Sequence, residues 1–210
     1  MKDFLISVYE YGRRVLGVTR RNIRAPKFPA NPDGKILVNV GCGGTSGPGF
    51  VNIDVLKLPN IHHIHDITSL DMLGSNTVDL LYASHVLEHI PRSKLDSTLK
   101  EWRRVLKKGG KLRISVPDFD NLVMAYQESG RDISVIRDQV LGQEPPYDNH
   151  YTLWNYRRLQ EMLTELSFVN IRRWDPSTVS HHDFTDRSSR LLMVGDKQIL
   201  LSLNVEADKV

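Results

Sequence analysis

The chain has 210 residues, of which 40% are apolar and 25% charged, and its formal net charge is +3. This is the composition of an ordinary folded protein, and so small a net charge does not by itself require a nucleic-acid partner. A single cysteine excludes an internal disulfide, and the sequence has no membrane-spanning run or secretory signal, so a cytoplasmic location is expected.

The segment 1–30 is predicted to be an amphipathic basic helix that precedes one main domain, residues 31–210. Apolar residues between Phe4 and Leu16 recur at helical spacing, and Pro26 leads out of the helix. Three roles stay open for this helix. It would pack on its own domain or over a bound ligand, contact an anionic membrane peripherally, or bind a partner.

A glycine-rich loop organises the main domain. It follows the apolar stretch Lys35 to Val40, which is typical of a buried parallel strand, and leads into a second predicted strand, Phe50 to Ile53, that ends in Asp54. Glycine lets the backbone turn sharply and approach a ligand closely. In doubly wound sheets ligands bind beyond the carboxyl ends of the strands, where an acid after the second strand accepts ribose hydroxyls. The stretch therefore predicts half of a nucleoside site.

A dinucleotide does not fit this loop well. The fingerprint GxGxxG fails because the sixth position from Gly41 is Ser46. No long helix is evident after the loop, which leaves no clear helix N-terminus to hold a pyrophosphate. S-adenosylmethionine (SAM) carries no phosphate and needs neither feature.

The ordered motifs of residues 35–118 resemble those of the class I SAM-dependent methyltransferases. Gly41-Cys42-Gly43 ends the first strand, HVLEHI follows the predicted strand Val78 to Tyr82, and EWRRVLKKGGKLRISVPD resembles the family's helix, Gly-Gly turn and fifth strand. The resemblance implies an α/β fold that is Rossmann-like and doubly wound. Its sheet would be mostly parallel and seven-stranded, with helices on both faces and an antiparallel last strand.

The resemblance also implies which residues hold SAM. They are Asn39, Gly41, Cys42 and Gly43 at the methionine end, Asp54 at the ribose, Asp66 and Ile67 at the adenine, and Ser84 and His85 at the methyl donor. Taken alone, Asp66 equally fits a cap for a helix of residues 68–73. Many relatives carry an acid in place of Asn39, whose amide adds no charge, so we expect either weaker binding of SAM or a loop that follows a subfamily variant.

The residues His85 to His89 also match HxxEH, a zinc-peptidase pattern. A zinc hydrolase is therefore kept as an alternative function. A catalytic zinc needs a third ligand from elsewhere, however, and the motif lies where the cofactor is expected, so we assign no metal from the sequence. In the methyltransferase interpretation Glu88 and His89 begin and pack the next helix.

The acceptor is expected beneath the loops 131–151 and 175–190, which have irregular sequence patterns. If it carries a hydroxyl, a histidine suits the role of base, and the candidates are His150, His181 and His182. The residues between His181 and Asp186 are also a candidate site for a divalent ion. We expect a small polar, sugar or lipid-linked acceptor methylated at oxygen and no nucleic acid, because no basic and aromatic platform is present. A SAM-binding domain without catalysis is the other alternative.

Several further elements follow from periodicity. A helix begins at a capping box of Ser93 and Asp96 and ends with Lys107 and Lys108. Two more helices are predicted at 120–129 and from Thr152 onward. Strands at 168–174, 191–194 and 199–205 suggest an antiparallel edge.

Overall fold

The computed structural model describes residues 29, 31, 33–143 and 148–210. The helix predicted for residues 1–30 lies outside the described residues, Pro29 apart. The strands are β1 (Leu37–Val40), β2 (Phe50–Asp54), β3 (His63–Ile64), β4 (Val78–Ser84), β5 (Leu106–Pro117), β6 (Phe168–Arg173), β7 (Leu191–Val194), β8 (Lys197–Leu200) and β9 (Ser202–Lys209). The described helices are α1 (Arg92–Val105), α2 (Phe119–Glu128), α3 (Arg137–Leu141) and α4 (Tyr156–Glu165).

Seven of these strands form one sheet in the order β3-β2-β1-β4-β5-β9-β6. Strands β1 to β5 are parallel to one another, whereas β9 is antiparallel to both β5 and β6. The mostly parallel, doubly wound sheet with an antiparallel last strand is therefore confirmed. Because β1, β2, β4 and β5 run in one direction, their carboxyl ends meet at the same edge, where a ligand is expected.

The two faces of the sheet are covered differently. Val38, Val40 and Ile114 face a core that contains the apolar stripes of α1 and α4. On the opposite face, Leu37 and Tyr82 pack against Trp174 and Phe184 of the loop that follows β6, and no described helix shares that cluster. The expectation of helices on both faces is thus met on one face only within the described chain.

The connection from β1 to β2 is short. Residues 41–49, all of them described, contain no helix, which agrees with the lack of a helix signal after the glycine loop. The same is true of the described residues 65–77 between β3 and β4, so the helix considered for residues 68–73 does not form. The loops beyond β1 and β2 therefore lie at the sheet edge without a helix dipole behind them.

Helix α1 differs from its prediction at both ends. Pro91 is its N-cap and no side chain caps it, so the capping box of Ser93 and Asp96 does not form. The helix ends at Val105 because the next residues join β5, with Leu106 paired to Val78. The Nζ of Lys107 lies 2.8 Å from both carboxylate oxygens of Asp79, so this lysine is held by an ion pair rather than at a solvated helix end.

The predicted strand 199–205 is two strands. Leu200 ends β8, which pairs with β7 in a separate two-stranded sheet, and Ser202 begins β9. The hairpin β7–β8 packs on α2 through Val194 and Ile199. Strands β9 and β6 form the predicted antiparallel edge of the main sheet, whereas the predicted strand 191–194 is β7 of the separate hairpin.

Candidate active site

The glycine loop begins with a backbone that only glycine adopts easily. Gly41 has a φ of +61°, and its N–H donates to the carbonyl of Ile53 at 2.8 Å. A Cβ at this position would lie 2.4 Å from a methyl carbon of Val86. The loop after β1 is therefore packed directly against the turn after β4, and the two cannot move independently.

Asp54 ties this loop to the end of β2. Its carboxylate is buried and accepts the N–H of Gly43 at 2.7 Å and the N–H of Leu56 at 2.9 Å. The amide of Asn60 donates to the carbonyls of Gly43 and Thr45 at 3.0 and 3.1 Å. A Cβ added at Gly43 would meet nothing within 4 Å. The loop is thus rigidly held with open space beside Gly43, as a ligand cradle requires.

Asn39 and Cys42 flank this cradle. Asn39 is buried in β1, where it pairs in register with Asn52 and Tyr82. Burial, with a contribution from Asp54, raises the pKa of the Cys42 thiol far above neutral pH. Cys42 is therefore a neutral thiol in a tight loop rather than a nucleophile.

Asp66 and Ile67 lie beyond β3, where the sequence placed the adenine. Asp66 is exposed, and its carboxylate accepts the N–H of Thr68 at 2.9 Å across a turn. The carbonyl of Ile67 accepts the indole N–H of Trp102 at 2.9 Å, which fixes the backbone at this point. Asp66 thus has an oxygen available to a ligand on a backbone anchored to α1.

Ser84 ends β4, and His85 follows it with a φ of +52°. The Nε2 of His85 lies 2.7 Å from the Oγ of Ser202, and that hydroxyl donates its proton to the carbonyl of Arg187. Ser202 therefore accepts from His85, whose Nε2 must carry the proton. Burial, together with the charge of Arg187, lowers the pKa of His85 to about 3, so the ring is neutral and its Nδ1 has a lone pair.

Glu88 faces that lone pair from a 3₁₀ turn, Leu87–His89, and does not begin α1 as predicted. Its side chain is fully buried, and its Oε1 lies 3.4 Å from the Nδ1 of His85. Within the described residues neither carboxylate oxygen has a hydrogen-bond donor. Burial raises the pKa of Glu88 to about 8.

His150 lies next to this turn. Its ring centroid is 4.7 Å from that of His89, and its Nδ1 is 2.8 Å from the carbonyl of Gln139. A narrow cleft lies here beyond β4 and β5. The residues that line it are His85, Pro117, Asp138, Gln139, Gln143, Asp148, His150, Arg187, Arg190 and Leu201. Of the three predicted bases, His150 is the one in this cleft.

His181 and His182 are placed elsewhere. His181 is 3.6 Å from a carboxylate oxygen of Asp33, before the start of β1 and so at the opposite end of that strand from Gly41. His182 is buried against Tyr82 and Trp174, with its Nε2 3.1 Å from the Oγ of Ser188. The two rings therefore do not converge on one ion.

Two features of the cleft were not predicted. Arg187 and Arg190 carried no motif, and only the irregular pattern of their loop pointed to a role. The grouping of Glu88 and His89 with His150 was also missed, although HxxEH had drawn attention to the first two. The pattern suggested His85 and His89 as the paired histidines, whereas His85 is bound to Ser202.

Residues 50–114, from β2 into β5, match a family model described as a methyltransferase domain. This part of the chain is a methyltransferase domain. The match begins just after the glycine loop and includes Asp54, Asp66 and the segment Ser84 to His89. No curated protein sequence matches the chain.

Solved structures of methyltransferases share this fold. A SAM-dependent methyltransferase from Archaeoglobus fulgidus is 16% identical with a TM-score of 0.51, and the alignment covers 100% of both chains. One from Methanosarcina mazei is 16% identical with a TM-score of 0.52, covering 89% of this chain and 95% of that one. The N1-methyltransferase of 1,6-didemethyltoxoflavin from Burkholderia thailandensis, solved with that compound and S-adenosylhomocysteine, is 14% identical with a TM-score of 0.53, covering 99% and 86%.

SAM is therefore the methyl donor of this methyltransferase, and the residues at the sheet edge fit it. The open space beside Gly43 and the remaining lone pairs of the Asp54 carboxylate suit a nucleoside with two ribose hydroxyls. The zinc-hydrolase alternative gains no support from the fold or from the family match. Among the described residues, no helix is long and apolar enough to cross a membrane.

Proposed function

We propose that this methyltransferase acts on a hydroxyl oxygen of a small polar acceptor, such as a sugar that is free or lipid-linked. The observation that carries the proposal is the cleft beyond β4 and β5, where His85 and His150 lie beside Arg187 and Arg190.

The cofactor part of the proposal assigns SAM to the loop between β1 and β2. The main chain at Gly41 and Gly43 and the side chain of Asn39 hold the methionine end, and Asp54 binds the ribose. Asp66 and Ile67 take the adenine, and the main chain at Ser84 and His85 borders the methyl donor. SAM supplies a methyl group on a sulfonium, so the tasks left to the protein are to position the acceptor and to exclude water.

The two arginines favour an acceptor with an acidic group. Within the described residues, neither the Arg187 nor the Arg190 guanidinium has a hydrogen-bond or ion-pair partner. A guanidinium binds a phosphate or carboxylate through paired hydrogen bonds. Asp138 and Asp148 on the same walls would accept hydrogen bonds from sugar hydroxyls.

His150 is the predicted base that the proposal retains. Its Nδ1 donates to the carbonyl of Gln139, so the neutral ring keeps a lone pair on Nε2. Burial lowers the pKa of His150, which keeps the ring unprotonated at neutral pH. A neutral imidazole at the cleft wall suits removal of a proton from a hydroxyl. His181 and His182 lie outside this cleft, and the proposal gives them no catalytic role.

The test is a methyl-transfer screen with tritium-labelled SAM against sugars, sugar phosphates and small hydroxy acids. We expect labelled product with an acidic sugar derivative. The variant His150→Gln should lower kcat by about 100-fold or more, which is the usual contribution of a general base. Arg187→Gln should raise KM by about tenfold for the acidic acceptor, because one charged hydrogen bond is lost.

The control is Arg157→Gln, which removes an exposed arginine on α4 that pairs with Glu161. It should leave both constants unchanged, and all variants should bind SAM as the wild type does. Product from nitrogen nucleophiles alone would contradict the oxygen acceptor. Full activity in His150→Gln would contradict the role of that histidine.

A further inference from the structure

Glu88, His89 and His150 form a cluster beside the cleft. One ligand atom from each side chain lies within 4.8 Å of the others. Two segments distant in sequence are joined here, because the N–H of Tyr151 donates to the carbonyl of Glu88 at 2.8 Å. Within the second segment, the N–H of His150 donates to the carbonyl of Leu141 at 3.1 Å. The backbone therefore holds the three side chains together without any direct hydrogen bond between them.

The hydrogen bonds of the two histidine rings fix which nitrogen is free. The Nδ1 of His89 lies 3.2 Å from the carbonyl of Asn149, and the Nδ1 of His150 lies 2.8 Å from that of Gln139. A carbonyl only accepts, so each Nδ1 carries the proton and each Nε2 keeps its lone pair. A carbonyl that orients a ring through one nitrogen is the usual support of a histidine that binds metal through the other.

The carboxyl group of Glu88 is the part of the cluster that lacks hydrogen-bond partners among the described residues. Glu88 is fully buried, and in the described part of the chain no donor reaches its carboxylate. The nearest ring atom, Nδ1 of His85, carries a lone pair of its own. A carboxylate oxygen of Asp148 lies 3.7 Å from the Nε2 of His89, which also points a lone pair outward. In its ionised form a buried carboxylate without a partner is costly, and a bound cation removes that cost.

We propose that Glu88, His89 and His150 bind a divalent transition-metal cation. Two imidazole nitrogens and one carboxylate are a ligand set that suits Zn²⁺, Co²⁺ or Mn²⁺. Mg²⁺ and Ca²⁺ prefer oxygen ligands alone and are therefore disfavoured. Three protein ligands leave one position open, and His150 places that position at the cleft wall.

The role of this cation in methyl transfer rests on the proposed function. A cation at the cleft wall lowers the pKa of a hydroxyl that binds it. The hydroxyl oxygen forms the new bond to the methyl carbon, the carbon–sulfur bond breaks, and its electron pair stays on the sulfur of S-adenosylhomocysteine. The hydroxyl proton passes to the Asp148 carboxylate, which lines the same cleft. With the cation bound, His150 is its ligand and Asp148 accepts the proton; the role of His150 as base then applies to the metal-free protein only.

Cobalt binding to the purified full-length protein, stripped with a chelator, tests the site directly. We expect one Co²⁺ per chain, seen as visible d–d absorption and as a calorimetric binding step, with displacement by Zn²⁺. Glu88→Gln and His150→Gln should each weaken Co²⁺ binding at least tenfold, since loss of even a supporting residue costs that much. Far-UV circular dichroism checks that both variants fold.

The matched control is His181→Gln, which removes a histidine near Asp33, outside the cluster. It should bind Co²⁺ as the wild type does. Absence of the cobalt spectrum, or equal affinity in His150→Gln, would overturn the site. SAM titration of the same metal-free samples separates the two proposals: SAM binding that persists without metal leaves the methyltransferase assignment intact whatever cobalt does. Methyl transfer that is undiminished in chelator would overturn the activating role.

Discussion

The glycine loop and the cleft lie beyond neighbouring strands of one sheet, yet their polar groups are satisfied in opposite ways. In the loop, the carboxylate of Asp54 accepts two backbone N–H groups and the amide of Asn60 donates to two loop carbonyls. In the cleft, the buried Glu88 has no hydrogen-bond donor among the described residues, and His89 and His150 each leave an Nε2 lone pair unused.

The difference separates a preformed site from an incomplete one. A loop whose own hydrogen bonds are complete keeps its shape without a ligand, so little ordering is required when the cofactor binds. A buried group that lacks partners is stabilised only when something joins it. The contrast supports a rigid SAM site beside a second site that a cation and an acceptor complete.

The largest effect is expected from Asp54→Ala beside the glycine loop, and it is a loss of affinity for SAM. The change removes the ribose acceptor and also frees the N–H groups of Gly43 and Leu56. Two hydrogen bonds to a charged group are worth about 1.5 to 3 kcal/mol each, so we expect SAM affinity to fall by about 100-fold or more. Calorimetric titration with SAM and S-adenosylhomocysteine measures this directly.

Asp66→Ala is the matched comparison for that measurement. Asp66 is exposed and holds only a local turn, so its loss should weaken SAM binding by no more than about tenfold. Equal losses in the two variants would contradict the view that the rigidity of the loop depends on Asp54.

A smaller effect is expected where the two regions touch. A Cβ at Gly41 would lie 2.4 Å from Val86, next to His85, whereas a Cβ at Gly43 would meet nothing within 4 Å. Both glycines have positive φ, so both alanine variants carry the same backbone strain of about 1 kcal/mol. Gly41→Ala adds overpacking and should lose about 2 kcal/mol more stability in urea denaturation than Gly43→Ala.

The double variant Gly41→Ala, Val86→Ala tests the cause of that difference. Removal of the valine methyl groups should recover most of the extra loss, because the clash involves only the Val86 side chain. If the double variant is no more stable than Gly41→Ala, contact between the loop and the turn after β4 is not what limits position 41.

The sequence predicted what local patterns determine. The apolar run before Gly41 and the acid that ends β2 predicted the parallel core of the sheet without any tertiary information, and the structure places Asp54 at the carboxyl edge of that core. The end of α1 was missed because Leu106 has good helix propensity but pairs with Val78 in the sheet. Tertiary pairing decides such boundaries, and no local pattern contains it.

The cleft depends even more on distant contacts. His85 is fixed by Ser202, which lies 117 positions away in sequence, and His89 contacts His150 across another long separation. Arg187 enters the same cleft from a loop without a motif. A single sequence identifies residue types that suit a base or a metal, but only the fold decides which of them meet.

The smallest predicted effect concerns a histidine outside both regions. His182 packs against Tyr82 and Trp174, and burial lowers its pKa in spite of the nearby Asp186. The unfolded chain binds a proton near pH 6.5 whereas the folded chain resists it, so this contribution to stability is complete above pH 6.5 and is lost as the pH falls below it. One such proton gives a slope of at most about 1.4 kcal/mol per pH unit.

His182→Phe should therefore reduce the slope of stability against pH below pH 6.5 by at most about 1.4 kcal/mol per pH unit. The hydroxyl of Ser188 stays satisfied in the variant, because it also donates to Asp186 at 2.6 Å. Urea denaturation at pH 7.5, where the ring is neutral in both states, measures the change in the free energy of unfolding that comes from packing. The same experiment at pH 5.5 adds the change that comes from protonation of His182. If the variant loses stability with falling pH as steeply as the wild type, folding does not lower the pKa of His182. The ring would then be protonated in the folded protein at pH 5.5, as a cation packed against Tyr82 and Trp174 beside Asp186.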